Sequence, residues 1–447
     1  VSKIVSTTVI ALFASLLTAC GGSEAVAPIF TLGGTVSQLA AFKSLTLLNN
    51  GSDTLTVSSN GTFTFPTKLP VGASYTVSIG TQPLGMICGL TNASGTLTTN
   101  VINVNVVCLK IPAFAYIANG NDGTISAYTL NPSTGALVSV GPATATGSGG
   151  LHRPDPHSVV VDPTGRFVYV ANEAQNSLSM YGINSSTGAL TSLGSDVPTG
   201  LGPFSVAVDP TGRFLYAVNV YAASVSAYTI NSSTGALTSV GSVFSTGTDP
   251  ESLMVDPTGR FLYVANFNSN SVSAYTINPS TGALTSIVPN VATGTQPTSL
   301  VIDPKGNFVY VTNSADNTVS TYSINSSTGA LTSIGSAVTT GAVPICITID
   351  PADKFAYVAN ATDNTISTFT IDRASGGLAS TGAAVATGTT PTTVAVDPSG
   401  KFAYVSNFAA ASAWGYLIDA STGALTPMAT PFATGAGPYS IALAPVQ

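Results

Sequence analysis

One block, F-x-Y-V-A-N and its close variants, recurs through most of this 447-residue chain. The Asn that closes it falls at Asn119, Asn172, Asn219, Asn266, Asn313, Asn360 and Asn407, so the step is 53 once and then 47 five times. A turn glycine keeps the same steps, from Gly135 and Gly188 to Gly423. Seven units of about 47 residues, each unable to bury its apolar face alone, restrict the chain to a stacked or closed repeat architecture.

Each unit carries four strand signals. In the second unit, residues 158–161 are a short apolar run, and Asp162-Pro163-Thr164-Gly165 is a turn in which Pro presets φ and Gly accepts a positive one. Residues 167–171 and 177–181 are the next two runs, and Ser186-Thr187-Gly188 turns into 189–193. Four strands at this period predict a propeller blade. The first unit, starting at Phe114, lacks the leading strand, and residues 438–445 supply it, 47 residues after their predecessor at Pro391. The expected fold is therefore all-β: a seven-bladed β-propeller over 112–447 with four-stranded blades, closed by the C-terminal strand, which leaves no unpaired end.

Residues 29–110 break from the repeat. Short alternating runs around Gly34, Leu45, Leu55, Phe63, Tyr75 and Val101–Val107, with Gly, Asn and Pro between them, predict a small β-sandwich. Some 80 residues make a small core, so pairing of Cys88 with Cys108 in an oxidising compartment would help it. The module resembles the immunoglobulin-like or prealbumin-like modules that precede propellers in exported bacterial proteins. Residues 1–20 open with Lys3 and a 16-residue apolar run, the pattern of a secretory signal. They end in Leu17-Thr18-Ala19-Cys20, which resembles the bacterial lipobox and implies lipidation at Cys20. Residues 21–28 are then a tether. The expected location is the cell envelope, with membrane attachment through the lipid and, from Gly21, the outer membrane. Cys346, in an inner-strand run, is expected to be a buried small residue.

Only 7% of residues are charged, and the net charge of −7 excludes a nucleic-acid partner, which needs a basic footprint. The repeat sorts these charges. Arg166, Arg213, Arg260, Lys305, Lys354 and Lys401 fall at the first-to-second turns, on one face, the bottom. Arg373 falls on the same face, and Lys3, Lys43, Lys68 and Lys110 lie outside the ring. That leaves Arg153 for the opposite, top face. Asp122, Asp155, Glu173, Asp196, Asp249, Glu251, Asp316 and Asp363 are assigned to the top. Both histidines sit in the one irregular connection, S-G-G-L-H-R-P-D-P-H, six residues longer than its counterpart in the next unit. A loop that departs from a strict repeat is a functional pointer. His152, Arg153, Glu173 and Asp249 are candidate ligand-binding residues. The His and acid spacing matches no strong metal motif, and neither metal nor cofactor is expected.

The Y-V-A-N repeats, the D-P-x-G-R/K turns and the count of seven resemble the YVTN and lactonase-like seven-bladed propeller family. The resemblance covers roughly 112–447 and implies the fold. It also implies a lactone-hydrolase chemistry in which Asp155-Pro156-His157-Ser158 stands at the family's His-bearing strand start. His157 would be the general base, with Asp155 or Glu251 as its acidic partner. Active relatives place a basic residue at the matching start in the next blade and a Glu after that blade's second strand. Phe204 and Val220 occupy those places here. An acidic top would also repel a phosphorylated sugar acid, whose recognition calls for Arg or Lys. The sequence is thus read first as an envelope lipoprotein whose propeller binds a cell-wall glycan, a cationic peptide or a protein partner, with lactone hydrolysis through His157 as the alternative.

Overall fold

The computed structural model describes residues 27–39, 43–81, 83, 86–110, 113–147 and 155–444. They form two compact units that divide between Leu109 and Lys110. In the first, the strands Gly61–Thr64, Leu32–Ser37, Val101–Lys110 and Met86–Thr91 make one sheet, and Asp53–Val57, Leu45–Asn49, Ser74–Thr81 and Ser94–Thr96 make another. Alternate residues from both sheets, among them Val36, Leu45, Leu47, Val77, Val104 and Val106, enclose one core. Cys88 and Cys108 are joined by a disulfide inside it. The strand Ser94–Thr96, and the short pair Ile29–Phe30 with Leu69–Pro70, have no counterpart among the sequence-predicted runs.

The second unit is the propeller. Its seven sheets each run from an inner strand that starts with proline (Pro438 in blade 1) to an outer strand. The second strands, such as Phe167–Asn172 and Phe261–Asn266, are buried at every residue, because each lies between the sheets of two neighbouring blades. Blade 1 is composite: Pro438–Leu443 pairs antiparallel with Ala113–Asn119. The outer strand departs from expectation. It is one nine-residue strand in blades 3, 4 and 5 (Leu237–Ser245, Leu284–Ala292, Leu331–Thr339). In blades 1, 2, 6 and 7 it breaks into a three-residue and a two-residue piece, as at Leu190–Ser192 and Val197–Pro198.

The repeated residues are the joints between blades. Tyr169 Oη donates to the Gly235 carbonyl of the next blade at 2.9 Å, and Tyr404 closes the cycle by donating to Gly135 at 2.7 Å. A second set, from Tyr181 to the Ala145 carbonyl or Tyr128 to the Ala433 carbonyl, works across the same seams. Tyr310 alone of the first set lacks an acceptor. The Asn of Y-V-A-N ties a second strand to its third: Asn266 Nδ2 donates to Ser271 and Ser273 Oγ, and its Oδ1 accepts the Gly247 N–H of the incoming connection. In the bottom turns, Asp162 Oδ1 accepts the N–H groups of Arg166 and Phe167, both at 2.7 Å. The guanidinium groups of Arg166, Arg213 and Arg260 lie 5.0 to 5.1 Å from the Phe ring that follows each. Lys305 pairs with Asp353 at 3.4 Å, and Arg373 donates to two carbonyls of the same turn. These cations are anchored at the bottom, where the repeat assigns them.

Closure sets a testable energetic expectation. Tyr404→Phe leaves the Gly135 carbonyl without its partner and should cost about 1–3 kcal/mol in urea unfolding. Deleting residues 438–447 leaves Ala113–Asn119 as an open edge and should abolish the cooperative transition of the propeller. An unchanged midpoint in the deletion variant would refute closure by the tail.

Candidate functional site

Each inner strand starts with Pro, and the residue before it takes a left-handed backbone: Asp155, Gly202, Asp249, Gln296, Val343, Thr390 and Gly437 have φ between 48° and 67°. Five of these seven are not glycine, so the top of the funnel holds strained backbone where side chains are retained. The residue after Pro then falls at the same height in every blade. His157, Phe204, Glu251, Thr298, Ile345, Thr392 and Tyr439 form one ring around the axis. The following residue forms a second ring of Ser, with Cys346 and Thr393. Together the two rings line a cavity of about 270 Å³. A second cavity, of about 360 Å³, shares Ser252 and Ser299 with it and is walled by Leu253, Met254, Leu300 and Val301 among others.

The second ring also stitches blades together. Ser158 Oγ accepts the Val206 N–H, Ser252 the Leu300 N–H and Ser440 the Val159 N–H, at 3.2 to 3.4 Å. Cys346 Sγ occupies the same place and accepts from Val394 N–H. Cys346 is half-buried and faces the cavity, where the sequence reading placed it in a core. Burial pushes its thiol up, so it stays protonated and is no nucleophile.

His157 is the best-held side chain of the first ring. Its imidazole stacks on Tyr439 at 3.8 Å and lies 4.0 Å from Phe204, the ring neighbours on either side. Phe408 backs Tyr439 at 4.8 Å. Gly120 makes this possible: a Cβ there would sit 2.5 Å from the Tyr439 ring and 2.6 Å from an Asp155 carboxylate oxygen. Nε2 of His157 is 3.1 Å from Glu173 Oε2. Tyr221 Oη donates to Glu173 Oε1 at 2.6 Å, and the Glu173 N–H bonds to the Asp155 carbonyl. Burial drives the imidazole pKa down to about 3, so it is neutral at pH 7. Glu173 Oε2 lies within hydrogen-bonding reach of Nε2, an arrangement that favours the neutral tautomer with its proton on Nε2. Burial, and then Glu173, raise the Asp155 carboxyl. Donor atoms of Asp155, His157 and Glu173 lie within 4.8 Å of one another, so this N/O/O trio is the set that could share a divalent cation.

Glu173, whose carboxylate lies beside Nε2, follows the second strand of the histidine's own blade, whereas Val220 stands at the matching place in the next blade. Glu251 is not the partner of His157. It stands two blades away on the same ring, with Phe204 between. Burial, and then the charge of Asp249, raise its carboxyl to about 8. Asp249 is itself held by Asn268.

The top acids divide into two groups. Asp122, Asp316 and Asp363 each accept a backbone N–H from an incoming connection, those of Ala436, Thr295 and Ala342. Asp196 accepts from Ser177 and Ser179. Four of the eight are therefore internal caps, and Asp155, Glu173, Asp249 and Glu251 remain around the mouth. His152 and Arg153 lie outside the described residues, as does Cys20. Tyr439, Phe204 and Tyr221 were missed as site residues. Tyr439 and Phe204 could have been found by stepping 47 residues from Glu251 and projecting each unit onto a ring.

The family model described as Lactonase, 7-bladed beta-propeller matches residues 107–251, 200–296, 252–348 and 346–441. Among solved structures, the chain is similar to a proposed 6-phosphogluconolactonase from Bacteroides uniformis, at 22% identity and a TM-score of 0.66, over 75% of this chain and 100% of that one. It is similar to the periplasmic gluconolactonase of Pseudomonas aeruginosa, at 20% identity and 0.63, over 75% and 99%. It is also similar to a protein from Lactobacillus plantarum, at 20% and 0.62, over 74% and 99%. At these identities the likeness shows the fold. No curated protein matches the sequence.

The two shifted groups have opposite linkage signs. From about pH 4.5 to about 8 the folded Glu251 keeps a proton that the unfolded chain has released, so stability falls as pH rises through that window. Between about 3 and 6.5 the unfolded His157 holds a proton that the folded one lacks, so stability falls as pH drops. Glu251→Gln should therefore raise Tm at pH 9 while changing it little at pH 4.5. Thermal melts across pH check this, and an equal shift at both ends would contradict the raised carboxyl.

Proposed function

The chain belongs to the seven-bladed β-propeller lactonase family, and from that premise we propose that the mouth of its central channel hydrolyses a small lactone that carries no phosphate. The observation that carries this reading is the neutral His157, clamped between two aromatic rings with Glu173 3.1 Å from Nε2, at the top of a hydroxyl-lined cavity. In the proposed reaction water adds to the lactone carbonyl. Nδ1 of His157 takes the water proton, and Glu173 steadies the imidazolium. The ring C–O bond then breaks, and protonated Glu251 gives its proton to the departing oxygen, leaving an open hydroxy acid. The two groups have environments that push their pKa values apart, one below neutrality and one above, as an acid–base pair requires.

Charge supports the substrate class. Among the described residues no Lys or Arg lines the cavity, while Asp155, Glu173, Asp249 and Glu251 surround its mouth. A phosphorylated sugar acid would be repelled. A neutral sugar lactone would meet the Ser and Thr hydroxyls of the second ring, and about 270 Å³ suits a ligand of that size. The scaffold reading loses its main support, since four of the eight acids it relied on are used within the fold. The neighbours named for 6-phosphogluconolactone and for gluconolactone chemistry favour the enzyme reading, and the P. aeruginosa one fits an exported enzyme.

Hydrolysis of δ-gluconolactone followed by pH-stat tests the proposal. His157→Ala should lower kcat/KM about 10²–10⁴-fold, the 6-phosphorylated lactone should be the poorer substrate, and kcat/KM should fall above about pH 8 as Glu251 ionises. Full activity of His157→Ala would remove the proposed base. We further propose that Cys20 is lipidated and holds the enzyme at the envelope. Metabolic labelling with a palmitate analogue should mark the full chain and not Cys20→Ser, and a label retained by the variant counts against it.

A further inference from the structure

Tyr221 breaks the repeat at a place that the mechanism above leaves unexplained. The residue two beyond the closing Asn is Asn121, Ala174, Asn268, Ala315, Thr362 or Ala409 in the other blades, and an aromatic only here. The side chain is 70% exposed, so apolar burial does not account for it. Its hydroxyl nevertheless crosses from blade 3 to blade 2 and donates to Glu173 Oε1 at 2.6 Å. The blade makes room for the ring. At Gly202, a Cβ would lie 2.5 Å from a carbon of Tyr221, while the equivalent place holds Asp155, Asp249, Gln296, Val343 or Thr390 in five other blades. In blade 1 the same place is Gly437, so the departure peculiar to this blade is Tyr221, and Gly202 gives its ring room.

We propose that Tyr221 is a positioning residue for His157, acting through Glu173, in the lactone hydrolysis on which this inference rests. With Oε1 held by the phenol, the carboxylate cannot turn, and Oε2 is presented to Nε2. The proton is thereby kept on Nε2 and the lone pair on Nδ1, the nitrogen that must take the proton from water. The groups that face Tyr221 and Glu173 from the surrounding blades are Asp155 and Asp249, with Tyr439 across the imidazole. All are acids or neutral, so the phenol is the donor that keeps Glu173 oriented among like charges.

Tyr221→Phe keeps the ring against Gly202 and removes only the hydroxyl, so its melting temperature should match the wild type. Its kcat should fall about 10–100-fold with KM little changed. The chain has only two histidines, so in a His152→Gln background the nitrogen-15 spectrum reports His157 alone. The single Nε2–H tautomer should give way to a mixture when Tyr221→Phe is added. An unaltered kcat and an unaltered tautomer would overturn the proposal. If the wild type turns over no lactone, the reaction fails by itself. The spectrum then still decides the coupling: a changed tautomer ratio supports it and an unchanged one overturns it.

Discussion

Seven wedges can surround an axis only if the last one meets the first. In this chain that meeting is the pairing of Pro438–Leu443 with Ala113–Asn119, reinforced by Tyr404 on Gly135 and Tyr128 on the Ala433 carbonyl. Everything at the centre depends on it. Tyr439 belongs to the closing strand, and its ring is one side of the clamp on His157. A ring left open would lose the stacked imidazole as well as the edge strand, so fold closure and site assembly are one event.

The seams explain how a chain with so few charges keeps register. Each blade presents tyrosine hydroxyls to carbonyls of its neighbour, a buried Asn joins strand to strand, and a turn Asp gathers backbone N–H groups. These are neutral or locally satisfied bonds, each contributing about 1 kcal/mol net. Their strength lies in repetition. Because nearly every blade carries the same set, a slip in one seam would break the matching bonds in its neighbours.

The repeat made the fold legible. Step, turn chemistry and the displaced inner strand sufficed to place the blades and the closure, and His157 stood out in the one irregular loop. The site was only partly legible, for two physical reasons. First, a propeller brings to its axis residues 47 or 282 positions apart, so Phe204 and Tyr439, the clamp on His157, could not be recognised by proximity in the chain. Glu173 was seen as a top acid and a candidate ligand-binding residue, but not as the neighbour of His157. Second, face assignment counts charges without knowing which are spent. Face assignment puts Asp122, Asp316 and Asp363 on the top with Asp155 and Asp249, yet the former three cap backbone N–H groups of the incoming connections. Only coordinates show which top carboxylates are spent in this way.

A seven-fold ring by itself offers seven equal positions, and equal positions cannot hold an acid and a base. The first ring is unequal. Tyr439, His157, Phe204 and Glu251, from four consecutive blades, carry the bulk and the titratable groups, whereas Thr298, Ile345 and Thr392, from the other three, are smaller and do not titrate. The same asymmetry separates the two shifted groups. Phe204 stands between His157 and Glu251 on the ring. Desolvation is the main cause of each shift, downward for the imidazole and upward for the carboxyl. One arc thus holds an imidazole and a carboxyl that are both neutral at the same pH, the pair on which the proposed reaction draws.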